Sequence, residues 1–105
     1  MKRTSTPDHE FKLSFSYSEY IDQLLLTYTQ NGKIILEFTE KDIGDKVHID
    51  NDTVIRLTLS QEDTSKFAVG EATAELKLWT KNQKSLISKD INLYVQKVQN
   101  EKVFT

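Results

Sequence analysis

The chain has 105 residues, 14 of them basic and 16 acidic, for a formal net charge of -2, with 37% hydrophobic and 10% aromatic side chains. That composition allows one modest core, and its even charge balance creates no field that would gather a polyanion, so a single domain that does not bind nucleic acid is expected. Cysteine is absent, which excludes disulfides, thiol nucleophiles and cysteine-ligated metals and leaves packing to hold the fold.

The first nine residues lack periodicity and hold the only proline, Pro7. Residues 1–9 therefore read as a flexible N-terminal tail that orders against a partner. The early charges of Lys2 and Arg3 are not followed by an apolar run, so no secretory signal is expected. No window approaches the roughly 18 apolar residues of a membrane span, so no membrane partner and a cytoplasmic location are expected.

Structure is predicted to begin at Glu10. Phe11, Leu13, Phe15 and Tyr17 share one parity, and Lys12, Ser14 and Ser16 the other, as in a half-buried strand. Leu24, Leu26 and Tyr28 alternate up to Asn31-Gly32, and Ile34, Leu36 and Phe38 alternate away from it. Asn-Gly accepts the positive φ of a type I′ turn, so a hairpin is predicted there. A polar connection, Glu40 to Asp45, leads to a short strand at "KVHI", the turn Asp50-Asn51-Asp52, and the strand "TVIRLTL".

One short helical turn is predicted over about residues 60–67. Ser60 can cap it, Glu62 and Asp63 meet its amide end, Lys66 falls in its last turn and Gly70 breaks it. A helix this short needs a buried anchor, and Phe67 is the candidate. Ala72, Ala74, Leu76 and Leu78 then alternate with Thr73, Glu75, Lys77 and Trp79; after "TKNQKS", Ile87, Ile91, Leu93 and Val95 share the buried parity. The result is an all-β, seven-stranded antiparallel sandwich over residues 10–98, with the helical turn crossing between sheets and a C-terminal tail at 99–105.

Candidate chemistry is sparse. His9 and His48 stand apart, without a second histidine at ligand spacing, and read as solvated side chains. The "DND" of residues 50–52 departs from a calcium loop and reads as turn chemistry. No serine lies in a G-x-S-x-G elbow, and Gly32, Gly44 and Gly70 form no phosphate cradle. The expectation is no catalytic, cofactor-binding or metal-binding residue, and no enzyme. Trp79 and Tyr94 lie on the polar parity of their strands, and Phe104 lies beyond the last strand; these three form the candidate interaction surface.

The segments "LLLTYTQNGKIILE" and "VIRLTLSQEDTSKFAVGEATAELKLWTKNQKSLISKDINLYVQKV" resemble small proteins of tail and baseplate gene clusters in phages and prophages of Gram-positive bacteria. They are similar to the immunoglobulin-like N-terminal domain of the phage upper baseplate protein. The elements that carry this are the Gln30-Asn31-Gly32-Lys33 hairpin, Arg56 to Phe67, Gly70, Ala72 to Trp79, and Leu86 to Val95. "TKNQKS" departs from the glycine turn usual in such proteins. The resemblance implies an immunoglobulin-like sandwich and a structural or assembly role through contacts with other phage tail or baseplate proteins; separately, the open edges of a small sandwich lead to the expectation of contacts with further copies of itself. The resemblance also implies a place in the host cytoplasm during assembly and in the virion tail. The alternative is a carbohydrate-binding module that stacks glycans on Trp79 and Tyr94.

Overall fold

The computed structural model describes residues 1–82 and 85–96. Seven strands run through them: β1 (Asp8–Lys12), β2 (Ile21–Gln30), β3 (Lys33–Thr39), β4 (Val47–Asp50), β5 (Val54–Thr58), β6 (Gly70–Thr80) and β7 (Leu86–Val95). They form two antiparallel sheets, β1-β5-β4 and β3-β2-β6-β7. Lettered as B, C, C′, D, E, F and G, these are the BED and C′CFG layers of an immunoglobulin-like sandwich. Between them Leu24, Leu26, Tyr28, Ile55, Leu57, Phe67, Leu76 and Leu78 are buried, each at most 1% exposed.

Three local predictions agree with the structure. Asn31 and Gly32 both take positive φ, 53° and 75°, and join β2 to β3 with Gln30 opposite Lys33. Nothing lies within 4 Å of where a Gly32 Cβ would stand, so Gly32→Ala should cost only the left-handed backbone, about 1 kcal/mol, read as a lower urea midpoint at unchanged slope. The helical turn is α2 (Gln61–Ser65), capped by Ser60 in a reciprocal box with Asp63. It carries the chain from one sheet to the other, with Phe67 buried at its end.

Four predictions are corrected. First, residues 1–9 are not a loose tail: Asp8 and His9 already belong to β1, and the residues before them strap the end of the sandwich. The Gln96 N–H donates to Met1 O at 2.8 Å, the Arg3 N–H to Gln96 O at 3.3 Å, the Thr64 hydroxyl to Ser5 O at 2.8 Å, and the Leu59 N–H to Pro7 O at 3.1 Å.

Second, the strand predicted through Tyr17 stops at Lys12 and gives way to a second helical turn, α1 (Tyr17–Tyr20). The β4–β5 turn, with positive φ at Asn51 and Asp52, presents the Asp52 carboxylate to this segment. It accepts from the Ser18 N–H at 2.9 Å, from the Ser18 hydroxyl at 2.8 Å and from the Ser16 hydroxyl. Serine groups satisfied this way withdraw the backbone from the ladder. The segment Glu40–Asp42 is also helical, a 3-10 turn capped by Thr39, so the helical turn at 61–65 is not the only one.

Third, Ile34 does not share the face of Leu36 and Phe38. A bulge between the Tyr28–Leu36 and Thr29–Ile34 pairs inserts Ile35 and turns Ile34 outward, where it is 62% exposed. Fourth, His9 faces the core instead of solvent, on the parity of Phe11. In β7, Ile87, Ile91 and Leu93 keep the predicted parity but are only half-buried, while Val95 is buried. The facing sheet is one strand narrower than theirs.

Candidate interaction surface

The outer face of the four-stranded sheet follows directly from its register. One row runs Glu37, Thr27, Glu75, Asp90; the next runs Thr39, Leu25, Lys77, Ser88; the last runs Gln23, Trp79, Leu86. Lys77 Nζ lies 3.4 Å from Glu75 Oε1, an exposed pair that contributes little to stability. The face is polar through its middle and becomes apolar toward Trp79.

Trp79 and Tyr94 stand on this same face but at opposite ends. Tyr94 is opposite Glu71 and Trp79 is opposite Leu86, so eight residues of β6, about 26 Å, separate them. The structure does not bring the two rings to one ligand. Trp79 is half-buried and Tyr94 is 57% exposed. Phe104 lies outside the described residues.

Residues that the sequence reading did not single out collect at the Trp79 end. Here α1 lies over the end of β6, tied by the Lys81 N–H to Tyr20 O at 2.8 Å and by the Lys81 ammonium to Ser18 O at 2.6 Å. Phe15 and Tyr20 meet edge to face at 6.0 Å. Together with Thr80, Ser85 and Ile87 they line an apolar hollow of about 370 Å³. Tyr20 is 53% exposed and Leu86 54%. The only signal in the sequence was the pair Leu86-Ile87 directly after a polar turn; Phe15 and Tyr20 join it because of α1, which periodicity does not foresee.

Three aspartates are occupied by structural duties. Asp50 accepts from Arg56 Nε at 2.8 Å, and that bond holds its carboxyl below the usual range. Asp52 is held down in the same way, by the Ser16 hydroxyl first and then by the Ser18 N–H. Burial pushes the Asp63 carboxyl up, but the Lys46 ammonium at 2.6 Å and the Ser60 N–H and hydroxyl outweigh it, leaving it lowered. Among the described residues no group of three or more His, Asp or Glu side chains is placed to hold a metal ion, and no helix is long and apolar enough to cross a membrane.

His9 forms a buried titrating contact that the sequence reading missed. Its Nδ1 lies 2.5 Å from the Tyr28 hydroxyl, and the phenol sits fully enclosed, edge-on to Phe38 and Phe67. Burial pushes the Tyr28 phenol up, so it remains a donor; to accept from it, His9 must be neutral at Nδ1. Burial likewise pulls His9 below its ordinary 6.5, with help from the N-terminal ammonium and opposed by Asp8.

A lowered histidine binds fewer protons folded than unfolded. Its stabilisation is complete above 6.5 and is lost as pH falls from there through the lowered value. The depressed aspartates act only below their ordinary 3.8, so the loss that sets in below 6.5 starts with His9. The thermal midpoint should therefore begin to fall just below pH 6.5, and His9→Gln should flatten that limb while leaving the acid limb in place.

No protein-family model matches this chain, and comparison with curated proteins and with solved structures finds no match.

Proposed function

We propose that this chain is a non-enzymatic structural or assembly module that works through protein–protein contacts, and that its setting is the tail or baseplate region of a phage or prophage. The observation that carries the contact reading is the clustering of solvent-facing apolar side chains at one end of the sandwich. Tyr20 and Ile87 line the Phe15 hollow there, and Leu86 and the half-buried Trp79 stand at the same end on the outer sheet face. Contiguous apolar surface of this kind on a small domain marks a contact site more often than a scattered exposed leucine does. The phage setting is supported by the resemblance of the Gln30–Lys33 hairpin and of the Arg56 to Trp79 run.

The test is recovery of the tagged protein from an induced prophage lysate, with mass spectrometry of the complexes and of purified particles. Co-purification with identified tail or baseplate components is the expected result. Absence from every tail complex and from particles would remove the setting.

A carbohydrate-binding reading now has to rest on Tyr94 alone, beside a shallow hollow lined by Glu71, Thr73 and Asn92. Trp79 lies too far along the strand to join it. Tyr94→Ala should abolish any glycan binding if that reading holds, while Trp79→Ala should leave it unchanged.

A further inference from the structure

Each sheet has two edges, and three of the four are closed to strand addition. β1 has five residues and sets the charged side chains of Asp8, Glu10 and Lys12 outward; β4 has four residues; β3 is broken by its bulge. Short, charged or bulged edges are poor templates for another chain. The fourth edge differs. β7 is ten residues long and pairs with β6 in unbroken register from Leu86 to Val95. The N-terminal strap covers its far end at Tyr94 and Gln96. Among the described residues the backbone of Leu86 to Leu93 is paired on the β6 side alone.

A second copy of this chain fits that edge badly. Two antiparallel strands related by a two-fold axis place residues of the same parity opposite each other. Centring the axis on Lys89 sets Lys89 against Lys89, and centring it on Asp90 sets Asp90 against Asp90. Centring on Ile91 pairs Ile87 with Val95, next to the strap. Centring on Ser88 engages only Leu86 to Asp90. Like charges directly opposite are destabilising, and the registers that avoid them pair no more than five residues of the stretch from Leu86 to Leu93, so a second copy is a poor occupant.

The side chains flanking the edge describe a different occupant. On the inner side, Ile87 and Ile91 are half-buried, and the Phe15, Tyr20 and Ile87 hollow has room for one apolar side chain. Between them Lys89 points inward and donates to Lys12 O at 2.7 Å; an inward lysine is a guard against indiscriminate pairing. On the outer side, Asp90 ends the row that runs through Glu75, so a newcomer extending that row meets the Asp90 carboxylate directly, with Glu75 one strand behind it.

We propose that the free edge of β7 between Leu86 and Leu93 receives an extended segment of a different protein chain, apolar opposite Ile87 and Ile91 and basic in the row of Asp90. This rests on the protein-contact reading above and names its site. Main-chain hydrogen bonds supply the affinity of such strand addition, and alternate side chains its selectivity.

The probes are two synthetic ten-residue peptides of alternating valine and threonine, one with a central lysine among the threonines and the other with glutamate in its place. Amide hydrogen exchange is followed on the full chain. In the free protein the amides of Leu86 to Leu93 that point away from β6 should exchange as freely as loop amides. Millimolar lysine peptide should slow them about tenfold or more, and the glutamate peptide should bind several-fold more weakly, about 1 kcal/mol in binding energy. Asp90→Lys, at an exposed position, should reverse that preference, and Ile87→Lys should abolish protection with either peptide. Amides already protected in the free protein would mean the chain covers its own edge and would overturn the proposal. So would unslowed exchange with both peptides, or protection that rises with protein concentration alone. Particle association that survives Ile87→Lys would leave the assembly reading standing without this site. Peptide addition without particle association would leave the site standing without that setting.

Discussion

Phe67→Ala should lower the stability of this protein by about 3–5 kcal/mol, the usual cost of deleting a fully buried phenylalanine. The ring is 1% exposed and meets Tyr28 edge-on at 5.9 Å. It follows directly on Lys66, the C-cap of a five-residue helix that could not persist alone. Removing it opens a cavity in the core and unpins the crossover between the two sheets at once. Total stabilities of single domains are only about 5–15 kcal/mol, so the variant should be partly unfolded at room temperature. Its thermal midpoint should fall by some tens of degrees, since each kcal/mol shifts a domain of this size by about 4–8 °C. A loss below about 1 kcal/mol would show that α2 is held by its cap and not by its anchor.

Gln30→Ala is the second large effect, at about 1–3 kcal/mol. Gln30 closes β2 with a side chain only 5% exposed. Its amide donates to Ala68 O at 2.7 Å and accepts from the Ala68 N–H at 2.7 Å. The side chain thus replaces one rung of a ladder between the hairpin and the segment leading into β6, and alanine leaves both Ala68 groups without that partner. Gln30→Glu is the sharper comparison. An ionised carboxylate can still accept from the N–H but faces the Ala68 carbonyl with no proton to donate. At neutral pH it should destabilise more than alanine, and it should recover part of the loss on acidification as the carboxyl regains a donor. Urea denaturation at two pH values reads both effects. Gln30 and Phe67 flank the same segment, so their double variant should fall short of additivity.

These two residues show how unevenly the sequence discloses its structure. Phe67 was legible, because a capped, acidic helical start before a glycine requires an apolar anchor. Gln30 was legible only as a turn neighbour, since nothing local says that its amide will meet Ala68, 38 residues on. His9 is similar. Its parity with Phe11 was visible, but the Tyr28 hydroxyl that makes a histidine useful in the core comes from the other sheet.

What the sequence determined by itself is whatever one or two residues can enforce through their own backbone and side-chain chemistry. That covers the Asn31-Gly32 turn, the Ser60–Asp63 cap, and the alternation that buries Ala72, Ala74, Leu76 and Leu78; the predicted break at Gly70 is not among them, since α2 already ends at Ser65 and Gly70 opens β6. Only the tertiary structure decided the rest. Asp52, 34 residues beyond Ser18, holds the helical turn that follows the first strand; the Ile35 bulge turns Ile34 outward; and the β6–β7 register parts Trp79 from Tyr94 while Ile87 meets Tyr20 across the hollow. Periodicity specifies which face a side chain takes, but not where along a strand its neighbours fall, because that depends on pairings between segments far apart in the chain.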